Sequence, residues 1–319
     1  MTPTKIVFFL ILTFAFTNSY SQKKIERYYD YRWRPCMLED ARFYSIVKNT
    51  DTGWYRTDVY INLKKIQMAG LYEDQENTIS NGTFYWFYAN GAIKSVGRYV
   101  HNKREGIWLS FFQDRSLKDS SIYKDGNLIR SLGWYSNGYP RDSLNIDAKG
   151  NGVYVSWFDN GNPSSAGMYV DFNKYHGTWQ YFHKNGKVSS AEVYDHNVLK
   201  DKHYFDESGN PMSDTTSRDR EAYFPGGNKA WSKYMSKNLH FPANYEIHNN
   251  HQIINVVTGT ITDEGKVIDI EDNVPVAEAF DKLALDALKN SPNWMPAISH
   301  NRKVYDTFSQ SVNFSQSYD

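Results

Sequence analysis

Gly82, Gly106, Ile129, Gly152 and Gly177 recur at intervals of 24, 23, 23 and 25 residues, and each opens the same pattern. Five residues on stands an aromatic: Phe87, Phe111, Trp134, Trp157 or Phe182. Nine residues on stands Gly91, Arg115, Gly138, Gly161 or Gly186, and Asn90, Asn137, Asn160 and Asn185 precede the four glycines. Seventeen residues on stands Tyr99, Tyr123, Ile146, Tyr169 or Tyr194. Phe205 and Gly209 belong to a partial further copy, and Tyr60 and Tyr72 fit a degenerate earlier one. A period of this length restricts the fold severely. Each unit is one supersecondary element that cannot bury its apolar face alone, so neighbours must stack or pair. Asn-Gly between two apolar-aromatic runs predicts a β-hairpin closed by a type I′ turn, with φ > 0 at both central residues. The glycine opening each copy lets the chain turn into the next hairpin without a Cβ clash. The expectation is an elongated, twisted antiparallel sheet.

The chain holds 25 Tyr, 18 Phe and 9 Trp. Trp108, Trp157, Trp179 and the repeat-end tyrosines read as cross-strand pairs of this sheet. The alternative is an exposed aromatic strip for glycan or peptide. Asn81-Gly82-Thr83 fits a glycosylation sequon, but its place at a repeat turn accounts for it. The run Gly-x-aromatic-x-x-aromatic-aromatic-x-Asn-Gly, as in Gly82 to Gly91, resembles MORN-type repeats of bacterial envelope proteins. That resemblance implies a scaffold or contact surface and no particular activity.

The last hundred residues have a different pattern. Ala230, Trp231, Tyr234, Met235 and Leu239 share a helix face, with Asn228 as expected N-cap and an end near Asn238 before Phe241-Pro242. Ile253, Asn255, Val257, Gly259 and Ile261 alternate, and Asp263-Glu264-Gly265 with Val267 to Ile270 completes a hairpin. Phe280, Leu283, Ala284, Ala287 and Leu288 mark a second amphipathic helix that stops at Ser291-Pro292. Val304, Phe308, Val312 and Phe314 read as a final strand. The order predicts a small α+β domain on an antiparallel sheet. Phe224-Pro225-Gly226-Gly227, Trp231, Asn238 to Pro242, Asp263 to Val267, Phe280 to Leu288 and Pro292 to Ala297 follow one another as in the carboxy-terminal domain of TonB-like proteins, which this third of the chain resembles. His251 stands where that family has a glycine, and Val257 or a neighbour where it has a phenylalanine. The resemblance implies binding of an extended peptide by strand addition.

Residues 1–21 carry Lys5, an apolar run over residues 6–16 and small residues at Ser19 and Ser21, the pattern of a cleaved secretory signal. The alternative is an uncleaved inner-membrane anchor formed by residues 6–16. No cysteine follows the apolar run, so lipoprotein processing lacks its residue. Formal net charge is zero, which favours neither nucleic acid nor an anionic membrane surface. Cys36 is the single cysteine, so no internal disulfide can form. Polar residues from Pro211 to Arg220 read as a flexible joint. The expected organisation is therefore a signal peptide (1–21), an N-terminal β-rich segment (22–80), MORN-like hairpin repeats (81–212), a linker (213–220) and a TonB C-terminal-like domain (221–316).

Catalytic motifs are missing from the sequence: it has no Gly-x-Ser-x-Gly, no phosphate-binding glycine loop and no His-Glu-x-x-His. His176, His183, His196 and His203 fall at different phases of the repeat and are not expected to converge on a metal. His248-Asn249-Asn250-His251 reads as a loop, and no paired carboxylates stand out. The expectation is a non-enzymatic protein of the periplasm or cell envelope, with no cofactor and no metal. Its C-terminal domain would engage an extended segment of an outer-membrane or periplasmic protein along the last strand, with Lys303, Tyr305, Thr307 and Ser309 as binding residues. The alternative is a TonB-type energy transducer that retains its N-terminal anchor.

Overall fold

The computed structural model describes residues 24–245 and 253–314. The expected signal and the loop of His248 and His251 lie outside them. Fifteen strands, β1 (Lys24–Tyr29) to β15 (Val198–Tyr204), form one antiparallel sheet in strict sequence order. The expected elongated hairpin array is present, and it reaches further than the repeat suggests. The strands from Lys24 to Tyr72 pair directly into the same sheet.

The turns differ from the type I′ expectation. Gly91, Gly138, Gly161 and Gly186 have φ between 82° and 89°, but the asparagines before them are not left-handed. Tyr88 N–H donates to Ala92 O (2.9 Å) and Gly91 N–H to Tyr88 O (2.8 Å), and the same pair of bonds recurs at Phe158 and Gly161 and at His183 and Gly186. This is the three-residue loop, a type I turn closed by a left-handed residue at a bulge. Arg115 takes the left-handed position in the second copy (φ 74°). Turns left-handed at both residues sit at the opposite end of the units, at His101-Asn102, Asp125-Gly126 and His196-Asn197.

The asparagines serve another purpose. Their amides donate to a carbonyl in the next turn: Asn90 to Gln113 (3.3 Å), Asn137 to Asp159 (2.9 Å), Asn160 to Lys184 (3.1 Å) and Asn185 to Glu207 (2.8 Å). Their Oδ1 atoms accept the N–H two residues on. One residue type thus closes its own turn and ties it to the next, except in the second copy, where Asp114 replaces the asparagine and closes its own turn on Ser116.

The aromatic core reading holds for Trp108 and Trp179, which are buried, whereas Trp157 is only half-buried. Phe84, Trp86, Tyr99 and Trp108 pack in one cluster, and Tyr154, Tyr169, Tyr175 and Trp179 in another.

The C-terminal unit consists of α1 (Gly227–Asn238), β16 (Ile253–Ile261), β17 (Val267–Asp272), α2 (Glu278–Lys289), β18 (Ala297–Ser299), β19 (Arg302–Val304) and β20 (Asp306–Phe314). Gly226, left-handed at φ 83°, precedes α1 in the N-cap place, and Asn228 lies inside the helix. The expected final strand begins after Val304, which instead joins a short hairpin turned at His300-Asn301. Both helices cover one face of the sheet β17-β16-β20, burying Val257, Phe280, Ala284, Leu288, Val312 and Phe314.

The stretch that joins the two units packs against the second of them. Arg220 and Tyr223 bridge to Ile298 and Met295, and Asp219 accepts the His300 N–H. The C-terminal unit then seats along the Asn-Gly edge of the array. Asn62 donates to Val276 O (2.5 Å), Lys94 pairs with Glu271 (2.5 Å), Gln113 donates to Ile270 O (2.8 Å) and Lys184 pairs with Asp263 (2.9 Å). Phe43, Tyr60 and Val274 form a shared apolar cluster at one end.

Candidate functional site

Strand β20 pairs with β16 over its whole length, from Asp306 opposite Ile261 to Phe314 opposite Ile253, and has no strand on its other side among the described residues. Alternation sends Phe308, Gln310, Val312 and Phe314 toward the helices and leaves Thr307, Ser309, Ser311 and Asn313 exposed. Two of the backbone groups reveal which positions face the open side. Thr307 N–H is taken by the Asp306 carboxylate (2.9 Å), and Ser311 C=O by the Gln310 amide (2.7 Å). Backbone groups alternate in direction along a strand, so Thr307, Ser309 and Ser311 share one orientation, outward. Ser309 lies midway between the two capped positions.

A groove of about 400 Å³ runs beside this edge. Trp231, Met235, Leu239 and Phe241 line its helix side and Gln310, Val312 and Phe314 its strand side. Trp231 Nε1 donates to Gln310 Oε1 (3.0 Å) and fixes α1 against the strand.

Of the four binding residues expected from the sequence, only Thr307 and Ser309 lie on β20. Lys303 belongs to β19, on the short hairpin. Tyr305 precedes β20 and turns into the array: its hydroxyl donates to Asp159 (2.8 Å) and its ring packs on Tyr135. Burial and the Asp159 charge raise its pKa, so it acts as a neutral structural phenol. A single apolar alternation through Val304 hid the break at Tyr305.

Two constellations escaped the sequence. His176 and His196 meet, with ring centroids 5.2 Å apart, beside Asp195, whose Oδ1 is 2.6 Å from His196 Nδ1. Their ligand atoms lie within 4.8 Å of one another at a largely exposed turn. The different repeat phases do not keep them apart, because His176 stands near the start of the strand Lys174–Phe182 and His196 follows the end of its antiparallel neighbour Val188–Asp195, at the same edge of the sheet. Paired carboxylates also exist. Asn255 Nδ2 donates to Asp272 (3.0 Å) and to Asp281 (2.9 Å) inside the C-terminal unit. Burial first, then the Asp281 charge, pushes Asp272 from the ordinary 3.8 up to about 7. The pair lines none of the grooves described here, and burial raises both carboxyls above the ordinary carboxylate range.

No helix among the described residues is long and apolar enough to cross a membrane. The chain has no match among curated proteins. The family model of the MORN repeat variant matches it twice, at residues 80–101 and 175–196, over the copies opened by Gly82 and Gly177.

Proposed function

We propose that this is an exported, non-enzymatic envelope protein whose C-terminal unit grips an extended segment of a partner protein by strand addition to β20. The observation that carries this reading is the outer edge of β20, with Ser309 midway between two side-chain-capped backbone groups and a groove alongside. An added strand would gain affinity from main-chain hydrogen bonds and specificity from alternate side chains entering the groove. The order helix, hairpin, helix, short hairpin, strand supports the likeness to TonB-type C-terminal domains. The hairpin array then serves as a rigid mount, since it seats the unit along its turn edge and leaves β20 outermost.

The test is a peptide-display selection against the full chain. Peptides selected by the wild type should bind Ser309→Pro at least tenfold more weakly, because proline removes an outward N–H. Ser309→Ala should bind normally, and both variants should keep the wild-type circular dichroism. Equal binding by folded Ser309→Pro would overturn strand addition. The transducer alternative requires residues 6–16 to be retained, and mass spectrometry of the mature N-terminus decides that point.

A further inference from the structure

Arg302 sits in β19 where the short hairpin meets the array, and its residue is 8% exposed. Its guanidinium lies over the rings of Phe158 (5.7 Å) and Tyr181 (5.4 Å). No carboxylate among the described residues forms an ion pair with it, and its Nε–H is buried without an acceptor. Asp219 exerts only a weak pull from a distance, and that carboxylate already accepts the His300 N–H. Burial lowers the arginine to about 10. The Tyr181 hydroxyl beside it is likewise buried without a partner. An arginine buried this way is costly unless something anionic compensates it.

Both groups line one cavity of about 430 Å³ between the array and the C-terminal unit. Its walls are the rings of Tyr154, Tyr169 and Trp179, with Ser156 and Ser165 among them. The other charges in it are already matched. Arg141 is held by Asp142 (2.6 Å) and Asp119 (3.5 Å). His300 contacts Glu192 (2.9 Å). That leaves one positive charge and two unsatisfied donors on residues that line an aromatic chamber. We propose that this cavity binds a small monocarboxylate with a ring-shaped body, its carboxylate on Arg302 and Tyr181 and its ring against the tyrosine and tryptophan walls. One arginine matches one carboxylate charge, and the fork of a guanidinium suits its two oxygens. Stacking walls with a few placed polar groups are the usual make-up of a small-molecule site.

The test uses the full mature chain and isothermal titration with glucuronate and benzoate, their neutral counterparts glucose and benzamide, and inorganic phosphate. At least one ring carboxylate should bind, with its neutral counterpart at least tenfold weaker. Arg302→Met should lose that binding at least tenfold, yet melt no lower than wild type without ligand, since it removes an uncompensated buried charge. An arginine with a purely structural role would instead lower the melting temperature on replacement. Tyr181→Phe, which keeps the ring, should weaken binding several-fold and decides the matter if Arg302→Met does not fold. The proposal is overturned if neither carboxylate binds, if only phosphate binds, if the neutral counterparts bind equally, or if a folded Arg302→Met binds like wild type.

Discussion

The indole of Trp179 rests against Gly167 so closely that a Cβ at Gly167 would lie 2.0 Å from the ring. Trp179 Nε1 donates to the carbonyl of Met168 (3.1 Å), which locks the ring there. Trp108 repeats the arrangement on Gly97, again with 2.0 Å to a Cβ and with Nε1 on Arg98 O (3.2 Å). Glycine inside a strand normally weakens it, but here the missing side chain is the seat of the core tryptophan. Gly167→Ala should therefore destabilise the array by about 1–3 kcal/mol through overpacking. Trp179→Ala should cost about 3–5 kcal/mol. Thermal melts followed by near-ultraviolet circular dichroism check both, and an unchanged Gly167→Ala would refute the seating.

The turn geometry separates two roles for Asn160. In a type I′ turn, Asn160→Gly would be harmless, because glycine takes φ > 0 freely. In the observed loop only Gly161 is left-handed, and Asn160 contributes bonds to Lys184 O and to Asn162 N–H. Asn160→Gly should thus lose about 1–2 kcal/mol from its two hydrogen bonds. Denaturant titration at equilibrium gives the number, and a neutral result would return the turn to type I′.

Lys184 bridges the two units: its Nζ is 3.0 Å from Asp159 and 2.9 Å from Asp263. Asp263 is buried, so removing the lysine leaves a carboxylate without its partner. Lys184→Met should cost about 2 kcal/mol, given that the lysine itself is partly solvated. It should also split one calorimetric transition into two as the C-terminal unit loosens from the array. A single transition at the wild-type temperature would show that the seating does not depend on this bridge.

Asp272 couples stability to pH in a defined direction. Its carboxyl is raised in the folded chain, from 3.8 to about 7, so the folded state holds more protons between those values. Its contribution is full below about pH 4 and is lost as pH rises through 7. Asp272→Asn imitates the protonated acid. It should raise the stability of the C-terminal unit at pH 8 by about 2 kcal/mol and flatten the fall between pH 4 and 7. Melts across that range test it, and a stability loss in Asp272→Asn at pH 8 would contradict the raised Asp272 carboxyl.

Much of this fold is legible in the amino-acid sequence. The spacing of Gly82, Gly106, Gly152 and Gly177 with their aromatics gave the array, because consecutive strands pair with their neighbours in sequence and local alternation is enough to specify that. The faces of α1 and α2 and the hairpin at Asp263 to Gly265 followed from the same short-range periods. The turn type did not, since Asn-Gly serves both two- and three-residue loops and only the backbone angle at Asn160 tells them apart. Nor did the functional geometry. Lys184 with Asp263, Tyr305 with Asp159, His300 with Glu192 and Arg302 with Tyr181 are each brought together from opposite units of the chain. No periodicity links residues so far apart. Their meeting depends on how the C-terminal unit seats on the turn edge, where desolvation and charge matching across the whole interface decide the position, and a linear pattern carries neither.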